Sequence, residues 1–295
     1  MNDIVVQQLW DDHIGWSKTA DLLKARRTAW RTVVLTLTVA GAALQTFAAV
    51  VGPGVAKISL GSVGAASLTL VPFLGSHFLG AERTGKWLRA RSISEGIKSE
   101  IYSFRAKSSP YDQPGAINIL SEKVKEFHKW AGDLSADRSR ILVTGDAMPP
   151  ELDADTYIKQ RVEQQIREYY KPKARENACL AERFRVAEIV LAGLAAVTGT
   201  VATTLGDPVS ANLGPWVAVL TTIASSIAAH SASSRFDFQA TTFAATAQQL
   251  EDLVRDWRLA PAPVPSQEWS GFVKNCESVI SAENRAWMAK LQKDT

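Results

Sequence analysis

The chain has 295 residues, of which 46% are hydrophobic and 21% are charged, and its formal net charge is only +3. So small a basic excess does not argue for nucleic acid as a partner. The two cysteines, Cys179 and Cys276, are far apart and have no metal-ligand residues beside them, so they indicate neither a disulfide framework nor a zinc site. The first apolar segment begins only near Thr32, which is too late for a secretory signal peptide.

Four apolar runs without Asp, Glu, Lys or Arg interrupt an otherwise polar chain. Each run is close to the roughly 20 residues that a helix needs to cross a hydrocarbon core about 30 Å thick. Because backbone amides in lipid must be paired within their own segment, the runs predict transmembrane helices. The alternative, a soluble protein with two buried helical hairpins, would need further helices to wrap four uncharged ones. The runs lie at residues 32–51, 58–81, 189–206 and 213–234.

Basic residues lie outside the pairs of runs and avoid the joints within each pair. Arg31 precedes the first run and Arg83 follows the second, whereas the two short joints hold only Lys57 and Asp207 as charged residues. Lys and Arg are enriched on the cytoplasmic side of membrane helices. We therefore expect a multi-pass protein of the inner (plasma) membrane, with both termini and the central segment in the cytoplasm.

A shift of 153 residues brings the two halves of the sequence into register, with His77 on His230. Each half reads as an amphipathic helix, an apolar hairpin, a second amphipathic helix, a breaker and a short helix. This order predicts a duplicated unit, with a first repeat at 1–135, a linker at 136–156 and a second repeat at 157–295. The predicted fold is an all-α membrane protein with four transmembrane helices in two tandem hairpins and long cytoplasmic helical extensions.

The second and fourth runs are each followed by a stripe of mostly apolar residues spaced at +4, +3, +4 and +3. This spacing predicts coiled-coil-like helices, which we expect to continue inward from the runs. The charged pair Glu95 and Lys98 within the first of them is typical of a solvated helix face. The stripes consist of Ala90, Ser94, Ile97, Ile101 and Phe104 in the first half and of Phe243, Ala247, Leu250, Val254 and Trp257 in the second.

Three stretches, at 86–111, 157–185 and 272–291, together resemble a bacterial family of unknown function that is grouped with the SLATT domains. The run Arg91, Ser94, Glu95, Lys98 and Glu100 is the part of the resemblance that stands out most. The resemblance covers most of the chain and implies membrane hairpins flanked by charged helices. It also implies an effector of nucleotide-signalled defence, whose pore kills or halts an infected cell. The family offers no catalytic residues to carry over, and a cytoplasmic partner would have to sense the signal.

The sequence contains no phosphate-binding loop, no catalytic-serine motif, no zinc motif and no Cys/His ligand cluster. Its histidines are scattered, so no pairing of a nucleophile with a base can be argued. We therefore expect neither enzyme activity nor a cofactor.

Polar side chains within the apolar runs are the candidate pore-lining residues. His77 and His230 stand at equivalent inner ends of the second and fourth runs, where they would either line an inner mouth or lie at headgroup level. The hydroxyl groups would either face water or bond to their own helix carbonyls. Gln45 and Thr198 would either line a cavity or bond to a neighbouring helix. The candidates are Gln45, Thr69, His77, Thr198, Thr222, Ser226 and His230.

The sequence therefore favours a pore-forming or channel-like membrane effector. Four thin helices are too few to enclose a pore in one chain, so we expect a homo-oligomer in the lipid bilayer. A cytoplasmic regulatory protein is a further candidate partner. The alternative is a non-conducting membrane scaffold that docks a cytoplasmic partner. A small transporter ranks third, because the runs hold no embedded charge that would couple an ion.

Overall fold

The computed structural model describes residues 2–143, 145–207, 209–260 and 266–293, with the side chains of 3–143, 145–207, 210–260 and 266–282. Within these residues the chain is overwhelmingly helical, which confirms the predicted all-α class. A 3₁₀ turn at Gly132–Leu134 precedes α5, and two π-helical segments, Ile158–Glu163 and Ile166–Tyr170, separate α6 from α7. The helices are α1 (Asn2–Val50), α2 (Val55–Leu79), α3 (Ala81–Arg105), α4 (Ala116–Lys129), α5 (Ser135–Arg138), α6 (Ala154–Tyr157), α7 (Lys171–Leu205), α8 (Val209–Ser234), α9 (Phe236–Leu259) and α10 (Ser266–Lys293).

Four helical stretches among the described residues are long and apolar enough to cross a membrane, and each contains a predicted run in full or all but its last residue. In the most apolar part of each, only 6% to 22% of the residues are buried within the chain. A helix that is apolar on all sides normally lies in a protein core or in lipid. These helices are not covered by the rest of the chain, so membrane insertion stays the prediction that accounts for them.

The predicted continuation of the second and fourth runs into the following helices is wrong in detail. Gly80 interrupts the first with an extended ψ of 164°, so α2 ends at Leu79 and α3 begins anew at Ala81. Arg235 interrupts the second with a φ of 53°, in the left-handed region that ends helices. The last helix also differs from expectation, because α10 has 28 residues and is not short.

The chain forms two compact units, and each draws on both halves of the sequence. The hairpin unit comprises Arg26–Gly80 and Arg175–Ala240. The extension unit comprises Met1–Ala25, Ala81–Ala174 and Thr241–Thr295. The spatial division thus separates apolar from charged sequence, while the predicted tandem repeats divide the chain lengthwise.

The extension unit holds two hydrophobic clusters, one built mainly from the first half and one mainly from the second. The predicted stripes form their centres, since eight of the ten stripe residues are buried and Phe104 and Trp257 are partly buried. Residues 153 positions apart occupy matching buried places in the two clusters, and the duplication itself stays a prediction. Such pairs include Ala90 with Phe243, Ile97 with Leu250, Ile101 with Val254 and Leu120 with Val273.

In the hairpin unit, α1 and α2 approach each other closely at two glycines. A Cβ built on Gly64 would lie 3.0 Å from the carbonyl oxygen of Gly41 and 3.1 Å from the backbone nitrogen of Gln45. Towards the other end of the pair, the rings of Trp30 and Phe78 stack with centroids 3.7 Å apart. Small residues therefore set the distance between these helices, as they do in lipid-embedded helix pairs.

We expect Gly64→Ala to destabilise the hairpin unit by about 1–3 kcal/mol, because its methyl group would press on backbone atoms that cannot rotate away. Gly75→Ala on the same helix is the matched control, since a Cβ there meets nothing within 4 Å. Thermal unfolding of the purified chain in detergent, followed by tryptophan fluorescence, compares the two. Equal melting temperatures for both variants would contradict close glycine packing.

Candidate functional site

Three of the candidate pore-lining hydroxyls bond to carbonyls of their own helices. Thr69 donates to Ala65 over 2.8 Å, Thr222 to Ala218 over 2.8 Å, and Ser226 to Thr222 over 2.7 Å. Thr69 and Thr222 are nevertheless exposed on the surface of the single chain, and Ser226 is half-buried. Back-bonding removes the need for an outside partner, so these hydroxyls can face lipid or water without an unpaired donor.

Gln45 holds two apolar helices together. Its side-chain amide donates to the carbonyl oxygen of Gly61 on α2 over 3.0 Å, which is the helix-contact alternative. Thr198, at the corresponding position of the second half, is half-buried in α7.

The two equivalent histidines have different surroundings. His77 is exposed on α2, and its ring meets Phe78 edge to face at 4.6 Å. His230 is half-buried on α8, with its ring 5.4 Å from that of Phe184 on α7. Gln45, Thr69, His77 and His230 thus contact residues outside the candidate set, whereas Thr222 and Ser226 are joined to each other.

A network of buried charges lies in the extension unit, at positions that sequence reasoning did not select. Arg161 and Glu277 form a two-pronged ion pair, with Nε to Oε1 at 2.9 Å and Nη2 to Oε2 at 2.7 Å. The hydroxyl of Tyr157 donates to the same carboxylate at 3.0 Å, and the guanidinium lies 4.4 Å from the ring centroid of Tyr102. Both charged side chains are almost fully buried, at 1% and 5% exposure, so each depends on the other for compensation.

A second buried group belongs to α3 and the first part of α1. Glu95 is buried and pairs with Arg91 at 2.9 Å, so the expectation that Glu95 and Lys98 form a solvated face is wrong for Glu95. Nδ1 of His13 lies 2.9 Å from the carbonyl oxygen of Ser94. Among the side chains that the structure describes, no three His, Cys, Asp or Glu residues are grouped to hold a metal ion.

Burial and neighbouring charges shift the pKa values of Glu95, His13 and Lys98 in this second buried group. Burial raises the pKa of Glu95, but the charges of Arg91 and Lys98 outweigh it and bring that pKa down to about 2. Burial, reinforced by Lys98, lowers the pKa of His13 to about 4. Burial and the charge of Arg161 lower the pKa of Lys98 to about 8. At neutral pH the network therefore holds ionised Glu95 beside neutral His13.

The sequence did contain one signal for the buried ion pair of Arg161 and Glu277. Glu277 stands at a core position of its helix, 153 residues after the buried Val124, so it places a carboxylate where the first half has a methyl-bearing side chain. A charge at an apolar position indicates a buried partner. Nothing in the local sequence identifies that partner as Arg161, which is 116 residues away.

Two protein families match the chain, each in a separate region. Residues 157–287 match the family described as SMODS and SLOG-associating 2TM effector domain 1 (SLATT_1). Residues 15–116 match a protein family of unknown function, DUF4231. The region 15–116 contains the first pair of apolar runs, with α2, and the region 157–287 contains the second pair, with α8. No curated protein and no solved structure matches the chain significantly.

We expect Glu277→Gln to destabilise the folded chain by about 3–5 kcal/mol, because it leaves the buried Arg161 charge without compensation. The double variant Arg161→Met/Glu277→Val removes both charges and places valine where Val124 stands in the first half, so its loss should be smaller. Arg255→Gln is the exposed control, since its ion pair with Asp252 lies on the surface and contributes less than about 1 kcal/mol. Equal losses of melting temperature in Glu277→Gln and Arg255→Gln would contradict the structural role of the buried ion pair.

We expect acid to destabilise the chain through His13. The unfolded histidine takes up a proton near pH 6.5, whereas the folded one stays neutral down to about pH 4. The contribution of His13 to the free energy of unfolding is therefore fully present above pH 6.5. It falls between pH 6.5 and pH 4, with about 2 kcal/mol lost by pH 5. His13→Asn should flatten the fall in melting temperature between pH 7.5 and pH 5.

His128→Asn is the matched control for the His13 prediction. His128 is exposed, and its hydrogen bond with Asp12 raises its pKa, so its contribution is lost as pH rises. The acid-side slope should therefore survive in His128→Asn. The same slope in His13→Asn and in the unsubstituted chain would show that another group controls it.

Proposed function

Because this chain belongs to a SLATT-like family, whose SLATT_1 member domains are effectors with two transmembrane helices, we propose that it is a pore-forming or channel-like membrane effector. The single observation that carries the proposal is the surface of the hairpin unit. Its four apolar helices are largely uncovered by the chain itself, yet they expose hydroxyl groups and an imidazole among the aliphatic side chains.

The exposed positions support a pore between chains. Thr69, His77 and Thr222 face outward from the single chain, so any water-filled path that they line lies at an interface between copies. Gln45 is engaged in a helix contact and is not required for such a path. The proposal therefore includes a homo-oligomer, which buries part of the apolar surface that one chain leaves open.

We further propose a bacterial inner-membrane location with both termini in the cytoplasm, a role in defence signalling, and control by a cytoplasmic partner that acts on the extension unit. The basic flanks outside the apolar pairs support this orientation. The chain is proposed to work without catalysis or a cofactor, since its charged network is buried and mutually paired.

A non-conducting scaffold is the second candidate function. The observation in its favour is that the extension unit presents large apolar side chains to solvent, with Trp130 53% and Leu142 89% exposed. Exposed apolar surface of this kind is suited to docking a partner protein.

Ion flux through liposomes that contain the purified full chain separates the two functions. In a Cys179→Ser background, which removes the exposed native thiol, we expect Thr222→Cys to conduct until a charged thiol reagent is added from the aqueous phase. The reason is that a water-facing cysteine ionises and reacts, whereas a lipid-facing one does not. Val197→Cys is the matched control, an exposed aliphatic position of the same unit at 63% exposure.

The scaffold and the channel hypotheses predict different ion fluxes in this experiment. Block at Thr222→Cys but not at Val197→Cys supports a path lined by Thr222. Flux that the reagent blocks at neither position would place Thr222 away from the path. Absence of flux from correctly inserted protein, with and without a cytoplasmic extract, would favour the scaffold.

A further inference from the structure

Two arginines of α1 lie at the start of the first apolar run, within the hairpin unit. Arg27 and Arg31 are four residues apart, so their side chains share one face of the helix about 6 Å apart at their Cβ atoms. Both are half-buried, in contrast to the exposed Arg26 beside them. We call Arg27 and Arg31, with Ser233 and Ser234 of α8, the paired-arginine site.

Arg31 is held by oxygen atoms that carry no formal charge. Its two Nη2 hydrogens have three acceptors within range: the carbonyl oxygen of His230 at 3.2 Å, Oγ of Ser233 at 2.9 Å and Oγ of Ser234. These atoms belong to the last turn of α8, whose dipole places only a partial negative charge there. The contacts fix the direction of the guanidinium but do not neutralise it.

Arg27 has less compensation still. Its Nε is buried and has no hydrogen-bond partner. Among the side chains that the structure describes, no carboxylate lies within ion-pair distance of either Arg27 or Arg31. Two half-buried positive charges therefore stand one turn apart without a described counter-ion, whereas charges withdrawn from water are normally paired.

We propose that the paired-arginine site binds the phosphate group of an anionic lipid headgroup. A guanidinium offers two parallel N–H donors that match phosphate oxygens, and two guanidiniums one turn apart can hold one phosphate between them. The site directly precedes Thr32, where the first apolar run begins, and the stacked rings of Trp30 and Phe78 lie at the same end of the helix pair. Tryptophan side chains concentrate at the headgroup level of a membrane.

A bound headgroup would do more than supply charge. Arg31 already joins α1 to the end of α8, so a phosphate bound to it would neutralise the residue that links the first and second apolar hairpins of the hairpin unit. The lipid would therefore act as a structural ligand, and this role requires no ion conduction.

Native mass spectrometry of the full chain in detergent micelles tests the proposal. Short-chain phosphatidylglycerol is the anionic probe, phosphatidylcholine the zwitterionic probe and inorganic phosphate the free-anion probe. We expect the unsubstituted chain to prefer phosphatidylglycerol to phosphatidylcholine, and we expect Arg27→Gln/Arg31→Gln to weaken phosphatidylglycerol binding about tenfold or more. Arg26→Gln is the matched control, which removes one exposed charge from the same turn and should leave binding unchanged.

The other outcomes each overturn the proposal. Equal loss in Arg26→Gln would mean that general basic charge attracts the lipid. Equal binding of both lipids by all variants would mean that no headgroup is recognised. Inorganic phosphate that displaces phosphatidylglycerol at equal concentration would identify free phosphate as the ligand.

Folding of the double variant is checked by circular dichroism in the same micelles. If Arg27→Gln/Arg31→Gln does not fold, Arg27→Lys/Arg31→Lys takes its place, since it keeps both charges and loses the paired donors. We expect that variant to bind phosphatidylglycerol several-fold more weakly, and undiminished binding would overturn the paired geometry. Because binding is read in micelles, its failure is distinguishable from failure of the proposed pore, which is read as flux.

Discussion

The uncovered apolar surface of the four hairpin helices is the constraint on which the rest of the structure depends. Since at most 22% of the residues in their most apolar parts are buried, the chain itself cannot remove that surface from water. Under the prediction of membrane insertion, lipid covers this surface. The chain separates into a hairpin unit and an extension unit because charged helices are stable in water, whereas helices that are apolar on all sides are not.

The described helices of the hairpin unit meet through contacts that do not depend on a hydrophobic driving force. Packing at Gly41 and Gly64 brings backbones together, and Gln45 adds a hydrogen bond to the carbonyl of Gly61. Both are contacts that retain their value in an apolar solvent. The extension unit works in the opposite way, since its two clusters bury apolar side chains away from water and its charges are paired inside.

The features that the sequence predicts correctly are those that depend on the spacing of residues within one segment. Uncharged runs and the +4, +3 stripes depend on spacing along one segment, and both lie where the pattern puts them. The breaks at Gly80 and Arg235 were missed because the apolar runs pass directly into the amphipathic stripes, although Gly80 is a residue type that commonly ends helices. The pairing of Arg161 with Glu277 was missed for a different reason. It joins residues 116 positions apart, and spacing carries no information over that distance.

Under the proposed function, the internal bonding of the hydroxyl groups bears on how the chain can remain non-conducting in lipid. Thr69 and Thr222 satisfy their donors on their own helices, so lipid can cover them without leaving a hydrogen-bond donor unpaired. Their outward lone pairs still suit water if copies of the chain assemble around a path. The same surface is thus compatible with a silent state in lipid and a conducting state between chains. Under the proposed function, control then needs to act on association alone, and a partner that binds the extension unit can bias it without touching the membrane.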